Sequence, residues 1–246
     1  MEITVERNGQ PYRIDLSHAI DCSSTFGDTA REPSAWYVQP VSISPVRIDD
    51  WLGSVEAGSS VNFYEVQLNP HGNGTHTECY GHIDKGHQKL NDHLKESHGW
   101  IHFQRLAIRS ENGDRLLKLE DLVVPAEGFP EFVGIEAAGL PFPGHFSNTN
   151  PPFIEAALCE RLAELGVKHL LTNLPSVDQE EDGGALAAHR AFWQYPHNTR
   201  RESTITEFTN FPSSLEEGFY FINLQTAPIH NDAVPSRPLL FKCKSL

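Results

Sequence analysis

No run of this sequence approaches the ~18 consecutive apolar residues that cross a bilayer, and its opening residues are polar, without the apolar core of a secretory signal. The expectation is a soluble, cytoplasmic protein with no membrane partner. Cysteine is scarce: Cys22, Cys79, Cys159 and Cys243 share no CxxC spacing, and a chain of 246 residues needs no disulfide staples. Reduced thiols follow. Positive charge is short as well, 19 Lys plus Arg against 33 Asp plus Glu, giving a formal charge of −14. So acidic a surface repels polyphosphate, which excludes nucleic acid as a partner. Internal repeats, low-complexity tracts and any linker that would divide the chain are also missing, so residues 1–246 are expected to form one domain.

What is present is a hydrophobic content of 39%, enough for a sizeable core, and an uneven distribution of histidine. His71, His76, His82, His87, His93, His98 and His102 are seven of the thirteen, and they crowd into one short stretch. In Phe63 to Leu68, the alternation of Tyr64, Val66 and Leu68 with Glu65 and Gln67 predicts a half-buried strand, broken by a loop over Asn69 to Gly74. Leu106 and Ile108 mark a second strand ending at the turn Glu111-Asn112-Gly113-Asp114, followed by a short helical turn over 118–122. Ile154, Leu158, Leu162 and Leu165 recur at helical spacing, with Asn150 as the expected N-cap, Pro151 at the first helical position and Gly166 at the end. Val167 to Thr172 reads as a strand, Gly184 to Trp193 as a second helix and Phe219 to Leu224 as a buried late strand. Strands mixed with few helices predict an α/β or α+β domain around a central sheet.

The loop His71-Gly72-Asn73-Gly74-Thr75-His76-Thr77-Glu78-Cys79-Tyr80-Gly81-His82 carries the chemistry. If the residues after Thr75 are extended, His76 and Glu78 project to one side, where an imidazole nitrogen and a carboxylate can converge on a cation. His82 is close in sequence and has the near-neutral titration of a proton carrier. On composition alone, the same residues would serve equally well as surface histidines on a wet loop.

This loop resembles the signature H-x-G-T-H-x-D-x-P-x-H of the cyclase family of metal-dependent hydrolases, which includes kynurenine formamidases and isatin hydrolases. Gly74-Thr75-His76 and His82 match it, Glu78 stands at the Asp position and Tyr80 at the Pro position. The first histidine is missing: Gly72 occupies its place, and His71 lies one residue too early. The likeness continues through Asp15-Leu16-Ser17-His18-Ala19-Ile20-Asp21, through Leu117 to Leu122, and through Gly166-Val167 to Pro175-Ser176-Val177-Asp178. It closes at Pro228 and Pro235-Ser236-Arg237.

The resemblance implies a single-domain α/β fold of the swivelling β/β/α type with a central mixed sheet, in a homo-oligomer. It implies His76, Glu78, His189 and Glu207 as metal ligands and His82 as catalytic acid/base. Glu202 competes with Glu207, and the Ile205-Thr206-Glu207-Phe208 frame favours the latter. His71 or Asn73 is the candidate to refill the missing ligand position, and Trp36 to form an aromatic wall for substrate. Two imidazoles and two carboxylates suit Zn²⁺ or Mn²⁺, as one ion or two. The implied reaction is hydrolysis of a C–N bond in a small amide, formamide or lactam. A lactone hydrolase or cyclase of the same family and a non-catalytic binding protein with a vestigial site remain alternatives. His18 and Asp178 are assigned no chemistry, and Cys79 is expected to be a small buried side chain.

Overall fold

The computed structural model describes residues 1–28 and 30–246. Its centre is a mixed sheet built from β1 (Ile20–Asp21), β2 (His76–Cys79), β3 (His98–Ala107), β4 (Phe132–Ala138), β5 (His169–Thr172), β6 (Thr204–Glu207), β7 (Gly218–Thr226) and β8 (Ala233–Phe241). The order is β7-β3-β4-β5-β6-β2-β8-β1, and a further β7–β8 pairing closes seven of these strands into a barrel-like ring. β3, β4, β5 and β6 run parallel; the other neighbours are antiparallel. Four short α-helices are found among the described residues: α1 (Pro70–Asn73), α2 (Leu90–His93), α3 (Ala156–Glu164) and α4 (Ala187–Trp193). The chain is thus a single mixed α/β domain with few helices, and no helix is long and apolar enough to cross a membrane.

Alternation along the strands splits the core in two. Ile101, Phe103, Phe132, Leu171, Ile222 and Leu240 meet on the inner face of the ring. Val133, Ile135, Leu170 and Ile205 face outward, onto Leu158 and Leu162 of α3 and Phe192 and Trp193 of α4. Burying each such side chain contributes about 1.5–3 kcal/mol, so the pairing of α3 and α4 on this face is a principal source of stability.

The helix read from the leucine spacing is present but starts later than its Asn-Pro-Pro signal. Ile154 N donates to Val177 O and Glu155 N to Leu117 O, and Phe153–Ile154 pairs parallel with Leu116–Leu117. The backbone is therefore committed to sheet bonding until Glu155, which takes the N-cap position. The end is as expected, with Gly166 left-handed at φ 83°. The predicted loop over 69–74 instead contains α1, because Asn69 accepts from Gly72 N at 3.2 Å and Pro70 opens the turn.

The strand expected at 63–68 also differs in its surroundings. Tyr64–Gln67 pairs only with Ser42–Pro45, in a two-stranded ribbon outside the ring. Ile43 opposes Val66 and Pro45 opposes Tyr64 on one side, with Ser42, Ser44, Glu65 and Gln67 on the other. The ribbon is amphipathic as the alternation requires, yet the described residues cover its apolar side only in part: Ile43 lies against Gly27, and Ile43, Tyr64 and Val66 remain 49%, 45% and 57% exposed.

Candidate metal centre

Extended backbone at β2 places His76 and Glu78 on the face toward α4, while Thr77 points the other way and shares a 2.8 Å hydrogen bond with Thr206. The start of β2 is knotted in place by Thr75. Its hydroxyl accepts from Ser24 N at 2.7 Å and donates to Phe208 O at 2.6 Å, while its N–H donates to Ser24 Oγ at 2.7 Å. Gly74 is required here, since a Cβ would lie 2.8 Å from the Phe26 ring and 2.9 Å from Ser24 Oγ. Antiparallel register sets Glu207 of β6 opposite His76, so both point to the same side.

His76 Nδ1 lies 2.9 Å from Gly74 O, and a carbonyl can only accept, so the proton sits on Nδ1 and Nε2 presents a lone pair. That Nε2 is 3.4 Å from Glu207 Oε2. Glu207 is buried and its Oε1 accepts from Val177 N at 2.9 Å, whereas Glu202 is exposed and lies outside the cluster.

His189 arrives from α4. Asp178 Oδ2 is 2.5 Å from its Nδ1, and the same carboxylate accepts from Ala188 N at 2.6 Å and His189 N at 3.2 Å. The ring is thereby oriented so that Nε2 lies 2.9 Å from Glu78 Oε1 and 3.8 Å from Glu207 Oε1. Asp178, which the sequence reading left without chemistry, is the group that aims this imidazole.

His71 joins the cluster, whereas Gly72, at the signature's first histidine position, does not. From the single turn of α1 the Nδ1 of His71 lies 3.2 Å from Glu78 Oε2 and its Nε2 3.0 Å from Asp232 Oδ2. A side chain at residue 72 has no room, because a Cβ there would sit 2.5 Å from Val38 and 3.0 Å from Ala35 O. Asn73 does not face the cluster: its Oδ1 accepts from Asn69 N at 2.7 Å and its Nδ2 donates to Gln39 O at 3.0 Å. Asp232 was invisible to motif reading. It precedes β8, in none of the matched segments, and only the pairing of β8 with β2 brings it to His71.

His82 ends the 3₁₀ turn Tyr80–His82 at the mouth of the cluster, its side chain 30% exposed. Its Nδ1 is 3.8 Å from both Glu78 Oε2 and Asp232 Oδ2, and its ring centroid is 4.4 Å from that of His71 and 5.3 Å from that of His189. Above the cluster lies a cavity of about 320 Å³, bordered by His71, His82, His189 and Glu207 below and by Trp36 and Leu186 at the sides. Trp36 has φ 60° and Tyr37 φ 55°, two consecutive bulky residues in the left-handed region, which the surrounding packing must hold in place.

Electrostatics bind these groups together. Burial opposes a charge on His71, but its hydrogen bond to Asp232 and the negative charges of Glu78 and Asp232 outweigh it, raising the imidazole to about 10. His189 is likewise held well above the usual histidine range, against burial, by Asp178, Glu78 and Glu207. Burial would raise Glu78, yet His82, His189 and His71 around it hold it well below the usual carboxylate range. Asp232 is lowered in the same way, its hydrogen bond with His71 prevailing over burial.

The donor set fits a divalent cation. His76 Nε2 and Glu78 Oε2 are buried atoms without a hydrogen-bond partner, each a defect of about 1–3 kcal/mol that an ion between them would remove. Donor atoms of His71, His76 and Glu78 lie within 4.8 Å of one another, as do those of Glu78, His82 and His189. Mixed imidazole and carboxylate donors match the preferences of Zn²⁺ and Mn²⁺ alike.

Comparison with known proteins gives the family and the fold. The family model "Putative cyclase" matches residues 14–179. No curated protein sequence matches the chain significantly. Among solved structures, a potential metal-dependent hydrolase with cyclase activity superposes with a TM-score of 0.62 at 15% identity, covering 91% of this chain and 97% of its own. A predicted metal-dependent hydrolase from Bacillus stearothermophilus gives 0.60 at 15% identity, with 91% and 98% covered. Isatin hydrolase A from Ralstonia solanacearum gives 0.60 at 15% identity, with 91% of each chain covered. At such identities the likeness is one of fold.

Proposed function

The chain belongs to the cyclase family, and from that premise we propose that it is a metal-dependent hydrolase opening a C–N bond in a small amide, formamide or lactam. The observation that carries this reading is the pair of orphaned buried atoms, His76 Nε2 and Glu78 Oε2, within a cluster that also gathers His71 and His189, with Glu207 3.4 Å from His76, beneath a cavity of small-molecule size.

His76, Glu78, His189 and Glu207 would hold the ion, with His71 as a further ligand and Asp178 and Asp232 orienting the two outer histidines. A Zn²⁺ or Mn²⁺ ion bound there supplies Lewis acidity, polarising the scissile carbonyl and making water a nucleophile near neutral pH. His82 is the proton carrier. It stands at the mouth, reached from the cavity, with no hydrogen-bond partner closer than the 3.8 Å carboxylates. Water oxygen bonds to the carbonyl carbon, the C–N bond breaks, and His82 passes the proton lost by water to the departing nitrogen. Trp36 forms one wall against which a planar substrate would lie.

Four unpaired cysteines suit a reducing cytoplasmic location, and the partly exposed apolar side of the 42–67 ribbon suits a homo-oligomer. The test is a parallel assay of N-formyl aromatic amines, isatin-like lactams and enol lactones with Zn- and Mn-loaded protein. Turnover of the amides supports the proposal. Activity confined to the lactones replaces it with the lactone-hydrolase reading, and no activity together with no bound metal replaces it with the vestigial one.

A further inference from the structure

The cavity has an electrostatic character that the metal cluster does not explain. None of the described residues that line it is Lys or Arg, and its imidazoles, His71, His82 and His189, belong to the metal cluster. Its outer rim instead carries two carboxylates, Glu180 and Asp182, on the loop that leads from Asp178 to α4. Both are fixed in place by backbone rather than by cations. Glu180 Oε1 accepts from Asn148 N at 2.5 Å, and its Oε2 accepts from Thr149 N and Asn150 N at 3.2 Å each. Asp182 Oδ1 accepts from Gly184 N at 2.7 Å, and its Oδ2 from Leu186 N at 2.6 Å. Neither forms a salt bridge with any described residue, so no Lys or Arg of the described chain offsets them on the approach to the cluster. Trp36, on the same cavity, offers an aromatic face.

We infer that this pocket selects its substrate by charge, accepting a small amide whose end away from the scissile bond is cationic, and rejecting one that carries an anion there. The inference rests on the hydrolytic reading above and names the substrate class for it. The physical basis is direct. Away from the imidazoles of the cluster, a substrate carboxylate or sulfonate needs a Lys, an Arg or a set of free N–H groups to receive it, and the backbone N–H groups of Asn148, Thr149, Asn150, Gly184 and Leu186 are already spent on Glu180 and Asp182. An ammonium or amidinium group meets the two carboxylates and the indole face, each favouring it. Two unit charges at the rim, in the partly desolvated mouth, weight cation over anion by about tenfold or more at low salt. The chain's net charge of −14 acts in the same direction on encounter.

Formanilides with a para aminomethyl, methyl or sulfonate group share one scissile bond and differ only in distal charge. Binding to the metal-loaded protein is measured by calorimetry, and release of formate is followed in parallel. The aminomethyl compound is expected to bind at least about tenfold more tightly than the sulfonate, with the methyl compound between them and the ratio falling as salt is raised. Glu180→Gln combined with Asp182→Asn keeps an acceptor oxygen at each position and should shrink the cation-to-anion ratio to a few-fold. Equal binding, preference for the sulfonate, or no binding by any of the three overturns the inference. If the binding order holds while no formate appears, charge selection stands and the hydrolytic reading falls. If formate is released without any order by charge, the hydrolytic reading stands and charge selection falls.

Discussion

His71 Nδ1 lies 3.2 Å from Glu78 Oε2, although His71 stands one residue before the position at which the family signature carries its first histidine. A single helical turn capped by Asn69 makes the difference, because it swings residue 71 toward β2 and packs residue 72 against Val38. This local geometry leaves a nitrogen donor beside the carboxylate of Glu78.

His71→Ala should lower metal affinity by about 10–100-fold while leaving the fold intact, measured by competition with a chromophoric chelator. Moving the imidazole into the signature position with Gly72→His in the same background should fail to restore it. Gly72→Ala alone should cost about 1–3 kcal/mol in urea unfolding, since its Cβ would lie 2.5 Å from Val38. Restored affinity in the double variant would contradict this account of α1.

Asp178→Asn removes the charge that orients His189 and keeps one acceptor oxygen, enough for the Ala188 N–H, while its amide nitrogen replaces the oxygen that His189 faces. Metal affinity and turnover should each fall by about 10–100-fold, with the unfolding midpoint changed little. A variant that keeps full affinity and rate would show that the 2.5 Å contact only anchors α4.

His82→Ala should abolish turnover and leave the metal content unchanged, because His82 sits at the mouth at 30% side-chain exposure while the orphaned donor atoms belong to His76 and Glu78. Metal analysis of the purified variant by mass spectrometry makes the distinction. Loss of the ion would reassign His82 as a ligand.

Acid stability should bear the mark of His169, buried behind Phe132, whose ring stacks on it at 4.2 Å. Burial lowers its imidazole to about 4, with Glu96 opposing only in part. The unfolded chain, titrating near the ordinary ~6.5, then binds the extra proton first. Stability from this group is complete above about pH 6.5 and is lost as pH falls from there toward 4, by up to about 3 kcal/mol. Urea midpoints at pH 7 and pH 5 should show the slope in the native protein and a reduced slope in His169→Gln.

The homo-oligomer proposal predicts that Val66→Lys, on the partly exposed apolar side of the ribbon, lowers the sedimenting mass to that of one 27.5 kDa chain. A native protein that already sediments as a monomer would contradict it.

The spacing of His76 and Glu78, two apart on one strand, was enough to put them on one side, whereas Glu207 was reached only through the Ile-x-Glu frame of the family resemblance. The parts that escaped depend on distant pairing. Asp232 reaches His71 only through the register of β8 against β2, and Asp178 acquires a role only when α4 folds back over it. The late start of α3 has the same origin: an Asn-Pro-Pro signal that favours a helix yielded to strand pairing at Phe153–Ile154. At Tyr64–Gln67 the alternation correctly gave a strand and its two sides, but period alone cannot tell whether an apolar side faces the chain's own core or is left partly exposed.

The most direct test is an anomalous difference map from crystals of the metal-loaded protein, recorded on both sides of the Zn or Mn absorption edge. The account predicts a peak at about 2.0–2.2 Å from His76 Nε2 and Glu78 Oε2, with His71, His189 or Glu207 completing the shell. A map with no peak in this cluster, or with the ion bound elsewhere and these two atoms still unpaired, would contradict it.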